Sequence, residues 1–262
     1  MAAPAPSLTV AAAESACGRP RGRILPLRIF YALQYSSMGA CLPYMSIFFE
    51  DAGLNREQIA WCFSALGVTV MLLPPIWGGL ADRGIQIRRL LTVALLINGG
   101  LLAGLTQVRG FAALLTAFVA FLCFRTPVTP LSDSLTFRVL ADQACRFGTV
   151  RVIGSIGYMV PATLLWVLLG WGLPVWSALI VGGILAAVAG LWACLLPPTS
   201  GPAGIEPPWR ALRMLARPRF AVFAACTILV HIFAMPHFSM IGLYWRGDMQ
   251  INPRWVGLID SA

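Results

Sequence analysis

Long apolar runs separated by short polar stretches dominate this chain. Seven runs are long enough to cross a membrane as helices, since about 20 apolar residues span a hydrocarbon core of about 30 Å. They cover residues 25–49, 58–81, 90–108, 111–137, 148–171, 173–197 and 220–245, and an eighth begins near Trp255. Because lipid offers no hydrogen-bond partners, each run must satisfy its own backbone, which favours helices over open strands. The pattern predicts an all-α membrane protein.

Two polar segments divide the chain. Residues 1–23 are rich in Ala, Pro and Ser, which is typical of a disordered segment and not of a signal peptide. Residues 198–219 contain a Gly/Ser/Pro cluster and then an Arg-rich stretch. We therefore expect a disordered N-terminus (1–23), a six-helix bundle (24–197), a linker (198–219) and the start of a second bundle (220–262).

The start of the second bundle repeats a pattern of the first. Residues 54–60 (Leu-Asn-Arg-Glu-Gln-Ile-Ala) align with residues 251–257 (Ile-Asn-Pro-Arg-Trp-Val-Gly). Many transporters consist of two six-helix halves related by an axis along the membrane normal. A complete second half would extend well beyond Ala262, so we expect this chain to be an N-terminal fragment.

Composition supports the membrane assignment and explains the net charge. Hydrophobic residues make up 58% of the chain and charged residues 11%, whereas soluble domains carry about 25% charged residues. The net charge of +9 comes from 19 basic residues, all of them Arg. Most lie before the first span and in alternate loops, at positions 19, 21, 23, 28, 83, 88, 89, 138, 146, 151, 210, 213, 217 and 219. The other loops contain only the Arg residues at 56, 109, 246 and 254.

This asymmetry follows the positive-inside rule. It predicts a multi-pass protein of the inner (cytoplasmic) membrane, with the N-terminus and the 198–219 linker in the cytoplasm. The basic residues therefore reflect topology, and we expect no nucleic-acid partner.

Three charged residues stand out inside predicted spans, where charge is costly and marks candidate functional positions. Arg125 is near the middle of span four, Asp133 is two turns further along, and Arg151 is one turn inside span five. Asp133 and Arg151 fall at matching depth on adjacent antiparallel helices, which predicts an ion pair. That pair is either a structural staple or part of a substrate or coupling site. Arg125 has no acid at its depth, so its partner is an anionic substrate or an acid outside this chain.

Proline and glycine add two structural expectations. Pro127 and Pro130 remove backbone hydrogen bonds from span four and predict a bend, which marks either a binding site or a packing kink. Gly154 and Gly157, with Ser155, allow close helix contact at span five.

Four uncharged or neutral polar residues are further candidates for a substrate-binding or coupling site. Gln34 and Tyr35 lie in the middle of span one, where they either line a cavity or form interhelical hydrogen bonds. His231 and His237 lie on span seven and point to different faces. Each either relays protons or satisfies a local hydrogen bond.

No catalytic constellation is present in the sequence. There is no Ser-His-Asp set, no metal-ligand cluster and no phosphate-binding Gly loop, and the seven Cys are scattered among apolar spans as small hydrophobic residues. We expect no enzyme activity, no catalytic residues, no cofactor and no metal.

The turn between spans two and three contains Gly78, Asp82, Arg83, Arg88 and Arg89. It resembles the cytoplasmic loop of the major facilitator superfamily, whose pattern is Gly-x-x-x-Asp-Arg-x-Gly-Arg-Arg, although here the Arg pair comes two residues late and the second Gly one early. The alternative is an ordinary positively charged loop. The resemblance implies that these five residues hold a cytoplasmic gate.

A narrower resemblance comes from residues 42–44, 130–133 and 147–157, and from the His231…Phe238…Tyr244-Trp245 pattern. They are similar to the phenylpropionate permease and nucleoside–proton symporter branch, close to lactose permease. In lactose permease an acid on helix 4 and an Arg eighteen positions later contact the sugar, and Asp133 and Arg151 have this spacing.

The resemblance implies a major facilitator fold with a complete first six-helix bundle, helix 7 and the start of helix 8. It also implies a secondary transporter that moves a small organic solute by alternating access with proton symport. Its partners would be the solute, protons and the lipid bilayer, and we expect a monomer. The alternatives are an antiporter of the same fold for drugs or metabolites, and a non-transporting truncated membrane protein. Arg125 and Asp260 depart from the pattern of this branch, in which uncharged residues are expected at these two positions.

Overall fold

The computed structural model describes residues 24–140 and 146–199, together with positions 218, 221, 222, 225, 226 and 229. Seven helices occupy the two continuous ranges. They are α1 (Ile24–Asp51), α2 (Arg56–Asp82), α3 (Ile87–Leu105), α4 (Phe111–Arg125), α5 (Val128–Leu140), α6 (Phe147–Gly170) and α7 (Trp176–Ala193). The first six predicted spans are therefore helical, with α4 and α5 as the two parts of span four. The N-terminal segment, the linker and the later spans lie outside these ranges.

Within the part of the chain that the structure describes, five stretches are long and apolar enough to cross a membrane. They are Arg56–Asp82, Ile87–Leu105, Phe111–Leu140, Phe147–Gly170 and Trp176–Ala193. The first helix, α1, is not among them although it has 28 residues. Polar side chains such as Gln34, Ser36 and Ser37 lower its mean hydropathy, and most of the helix is buried against its neighbours instead of facing lipid.

Glycines bring α1 into close contact with α6. A Cβ at Gly157 would lie 2.5 Å from the carbonyl oxygen of Ala32, and a Cβ at Gly39 would collide with the carbonyl of Tyr158. These positions have no room for a larger side chain, so the two backbones approach directly. The predicted close contact at Gly154 and Gly157 is confirmed, whereas Ser155 is exposed.

Span four is interrupted, as its prolines predict. The α4 helix ends at Arg125, and α5 begins at Val128 after a turn at Thr126 and Pro127. Pro127 has no N–H to donate, so the helical ladder cannot continue through it. Pro130 makes no comparable break, because it lies in the first turn of α5, where a missing N–H costs little.

A tight turn joins α2 to α3. Gly84 has a φ of 88°, in the left-handed region that glycine adopts without strain. The Ile87 N–H at the start of α3 donates to the carbonyl of Thr199, beyond the end of α7 (3.2 Å). The turn is thereby held at the end of the bundle where α7 also ends.

Candidate functional site

An ion pair between α5 and α6 forms the centre of the site. Arg151 Nη1 lies 3.0 Å from Asp133 Oδ1 and 3.1 Å from Oδ2. The Arg151 and Asp133 side chains are 43% and 28% exposed, so the pair is half-buried. The ion pair expected from the sequence is present, and its role in binding or coupling stays a prediction.

Tyr31 on α1 is the third member of the site. The sequence analysis did not identify it. Its hydroxyl donates to Asp133 Oδ1 at 2.7 Å, the short distance typical of a hydrogen bond to a charged acceptor. Thr136 Oγ1, one turn beyond Asp133, lies 3.2 Å from the same tyrosine oxygen. The signal in the sequence that could have identified Tyr31 is its spacing from the candidate Tyr35. The two residues are four positions apart and therefore share one face of the helix.

Tyr35 places an aromatic face beside the pair. Its ring stacks on Tyr31 with centroids 6.0 Å apart and planes inclined by 16°. Arg151 Cζ lies 5.4 Å from the Tyr35 centroid, within cation–π range. Gly154 provides the space, because a Cβ there would lie 2.9 Å from the ring. We call Tyr31, Tyr35, Asp133 and Arg151 the ion-pair cluster.

Gln34 lies next to the cluster but faces the helix interface. It is 1% exposed. Its Oε1 accepts from Ser132 Oγ at 2.9 Å, and its Nε2 donates to Thr129 Oγ1 at 3.5 Å. Of the two alternatives that the sequence left open, the structure shows interhelical hydrogen bonding between α1 and α5.

Arg125 occupies the last position of α4, at the break in span four. Within the described residues it forms no ion pair or hydrogen bond. The ionisable groups that act on it electrostatically are Cys41 and Tyr35. The negative end of the α4 dipole and the carbonyls released at Pro127 offset part of its charge. Arg125 is therefore a positive charge inside the span without a carboxylate partner in this part of the chain.

The α2–α3 turn contacts the same helix that contains Asp133. Asp82 Oδ1 lies 3.9 Å from Arg138 Nη2 near the end of α5, and their side chains are 56% and 28% exposed. This long, exposed pair links the turn to α5. The sequence predicted no partner for Asp82.

The other candidate gate residues lie near the end of α2, in the turn and at the start of α3. Arg88 donates through Nε to Gln86 Oε1 (3.0 Å) and through Nη1 to the carbonyl of Leu196 (3.3 Å). Arg83 and Arg89 are exposed. A Cβ at Gly78 would meet nothing within 4 Å, so no close packing explains that glycine.

The remaining candidate site residues are His231 and His237, and both lie outside the described residues. Within residues 24–140 and 146–199, no group of three or more His, Cys, Asp or Glu side chains is arranged to hold a metal ion.

The membrane-length apolar helices define an integral, multi-pass membrane protein. The sequence model of the MFS_1 like family matches residues 24–258. The chain belongs to that family.

Curated relatives are permeases and transporters. The chain is 30% identical over 141 residues to the maltose permease of Geobacillus stearothermophilus, covering 53% of this chain and 35% of that protein. It is 25% identical over 213 residues to the putative nucleoside transporter YegT of Escherichia coli (strain K12), covering 76% and 48%. It is also 25% identical over 231 residues to the probable 3-phenylpropionic acid transporter of the same organism, covering 84% and 59%. The chain thus spans between about a third and three-fifths of these relatives' lengths.

A solved structure shows the same fold. The crystal structure of the nucleoside transporter NupG superposes with a TM-score of 0.74 at 19% identity, covering 92% of this chain and 63% of that one. The resemblance to the major facilitator superfamily stated from the α2–α3 turn is confirmed, together with the all-α fold.

Proposed function

We propose that this chain is part of a secondary transporter that moves a small organic solute across the cytoplasmic membrane by alternating access, driven by proton symport. Membership of the family and its similarity to known permeases and transporters support transport. The unequal distribution of Arg supports a cytoplasmic N-terminus.

The ion-pair cluster is the observation that supports this proposal most directly. A half-buried carboxylate, a guanidinium and an aromatic face converge on one accessible point of the bundle. Hydroxyl or carboxylate groups of a solute can exchange with the hydrogen bonds that Arg151 and Tyr31 make to Asp133. The Tyr35 ring offers a surface for an aromatic or sugar ring.

In this proposal the same pair also couples transport to protons. When a proton binds Asp133, the carboxylate loses its charge and Arg151 loses its counter-ion. The guanidinium is then free to hold an electronegative group of the solute. Release of the proton on the other side of the membrane restores the pair and favours release of the solute.

Arg125 extends the binding surface toward α4. It has no carboxylate partner within the described residues and stands at a break in a membrane helix, the kind of position where transporters bind solutes. In this proposal it attracts the negatively charged or strongly polar end of the solute.

The predicted parts of the chain fit this mechanism. Residues 24–197 form the first bundle, 198–219 the linker, and 220–262 begin the second bundle, which rocks against the first. Gly78, Asp82, Arg83, Arg88 and Arg89 form the cytoplasmic gate. The pair between Asp82 and Arg138 transmits movement of the turn to α5, which contains Asp133.

The test is uptake of labelled maltose, a labelled nucleoside and labelled 3-phenylpropionate by cells that produce the natural full-length protein, compared with cells that lack it. We expect uptake of at least one solute, and a protonophore should abolish it. Uptake that persists after the proton gradient collapses would contradict symport. Absence of uptake for all three, with the protein verified in the membrane, would contradict the transport proposal.

A further inference from the structure

A groove between the start of α3 and the end of α7 lies away from the ion-pair cluster. Its volume is about 360 Å³, and it is lined by Arg88, Arg89, Thr92, Val93 and Cys194. The helices approach closely beside it, because a Cβ at Gly190 would lie 3.1 Å from Leu95 Cβ. The groove is therefore a fixed feature of the α3–α7 interface.

The polar end of this groove is positively charged without compensation from nearby acids. Arg88 and Arg89 lie in the first turn of α3, where the helix dipole is also positive. That turn contains no acidic residue, and Gln86 makes no side-chain cap. Within the described part of the chain neither arginine forms an ion pair. An anion at this position would be stabilised by both guanidinium groups and by the helix end.

The groove continues into an apolar surface along the same two helices. Val93 on α3 is 50% exposed, and Leu191 on α7 is 61% exposed. Leu96 and Ile97 extend this surface one turn beyond Val93. Both helices are long and apolar enough to cross a membrane, so a lipid beside them would place its acyl chains against these side chains. Positive charge at the start of α3 and apolar surface beneath it match the two parts of a phospholipid.

We propose that this groove binds an anionic phospholipid, with its phosphate on Arg88 and Arg89 and its acyl chains along Val93 and Leu191. Basic pockets between membrane helices recognise anionic headgroups in this way. A free phosphate ion would use the arginines only, and the apolar continuation favours the lipid.

Cys194 lines the groove and provides a reporter for the test. In a variant whose other six cysteines are replaced by Ser, the rate of Cys194 labelling by N-ethylmaleimide is measured in vesicles. We expect slower labelling in equal parts phosphatidylglycerol and phosphatidylcholine than in phosphatidylcholine alone. Arg89→Gln should weaken this protection about fivefold, which corresponds to one basic side chain at an anionic surface. Arg83→Gln is the matched control, since Arg83 is exposed in the same turn but does not line the groove.

Equal labelling rates in the two vesicles would overturn the proposal, as would equal loss of protection with Arg83→Gln. Full protection by inorganic phosphate in phosphatidylcholine vesicles would also overturn it in favour of a free-anion site. If the cysteine-depleted variant does not fold, native mass spectrometry of the unmodified protein replaces the labelling. Retained phosphatidylglycerol that is lost with Arg89→Gln but kept with Arg83→Gln supports the proposal, and no difference between the variants overturns it.

Discussion

Two aspartate–arginine pairs in this protein have the same charges and different surroundings. The inner pair, Asp133–Arg151, has distances of 3.0 and 3.1 Å and receives a third hydrogen bond from Tyr31. The outer pair, Asp82–Arg138, has a distance of 3.9 Å, and its aspartate is 56% exposed. Geometry and burial, not residue type, therefore separate a candidate site from an ordinary surface contact.

The difference has an energetic consequence. Exposed ion pairs contribute about 0–1 kcal/mol, because water screens the charges and competes for them. Removing one partner of a buried pair costs about 3–5 kcal/mol, since the other charge is left without compensation. The inner pair is half-buried, which places it between these limits, at about 2 kcal/mol.

The largest effect is expected for Asp133→Asn. This change leaves Arg151 facing a neutral amide, so it lowers stability by about 2 kcal/mol and reduces uptake by about tenfold or more, as loss of one coupling charge implies. Uptake is measured per molecule inserted in the membrane, which removes the effect of reduced expression. Asp133→Glu is the control that retains the charge. Wild-type uptake per molecule in Asp133→Asn would contradict a coupling role.

Arg125→Gln removes a charge that has no carboxylate partner in the described residues, and its effect can be compared with that of removing a charge from the Asp133–Arg151 pair. Because Arg125 has no carboxylate partner in the described residues, its removal should raise thermal stability, by an amount of order 2 kcal/mol. In contrast to Asp133→Asn, the protein should accumulate normally and lose affinity for the anionic 3-phenylpropionate more than for maltose. The exposed Arg109→Gln serves as the matched control. A loss of stability in Arg125→Gln would show that the charge has a structural partner.

Tyr31→Phe tests the third hydrogen bond of the inner pair. Loss of a donor to a charged acceptor should lower the free energy of unfolding by about 1.5 kcal/mol and raise KM for the transported solute. Tyr44→Phe is the matched control, because its hydroxyl donates to the carbonyl of Ala162 at 3.1 Å, in a buried position outside the cluster. The control should lose stability and keep KM. Equal KM in both variants would remove Tyr31 from the binding site.

Asp82→Asn should have the smallest effect. The pair is exposed and long, so stability should change by less than about 1 kcal/mol. The maximal rate of uptake should fall modestly with KM unchanged, because a gate controls movement and not binding. Arg138→Gln should reproduce this pattern if the contact between the turn and α5 matters. A rise in KM in either variant would contradict a gating role.

The sequence was sufficient to predict features that depend on the length of a helix and on how far along it a residue lies. Apolar run length predicted the helices, Pro127 predicted the break in span four, and the matching depths of Asp133 and Arg151 predicted their pairing. These properties follow from the rise of a helix and the missing N–H of proline.

Features that depend on how the helices rotate against one another could not be predicted from the sequence. Tyr31 in an apolar span is indistinguishable from a core aromatic until the Gly157 contact fixes α1 against α6 and aims the hydroxyl at Asp133. Gln34 was ambiguous for the same reason. The pairing of Asp82 with Arg138 joins residues far apart in the chain and needed the arrangement of the bundle.

The most direct test of the central claim is an exchange of the inner charges, Asp133→Arg combined with Arg151→Asp. The exchange restores attraction between α5 and α6 but places each charge at the wrong position for solute and proton. We predict that the double variant returns to near wild-type levels in the membrane, compared with the single changes, and still fails to take up any of the three labelled solutes. Recovery of both membrane level and uptake would contradict the account and show that the pair only joins the two helices.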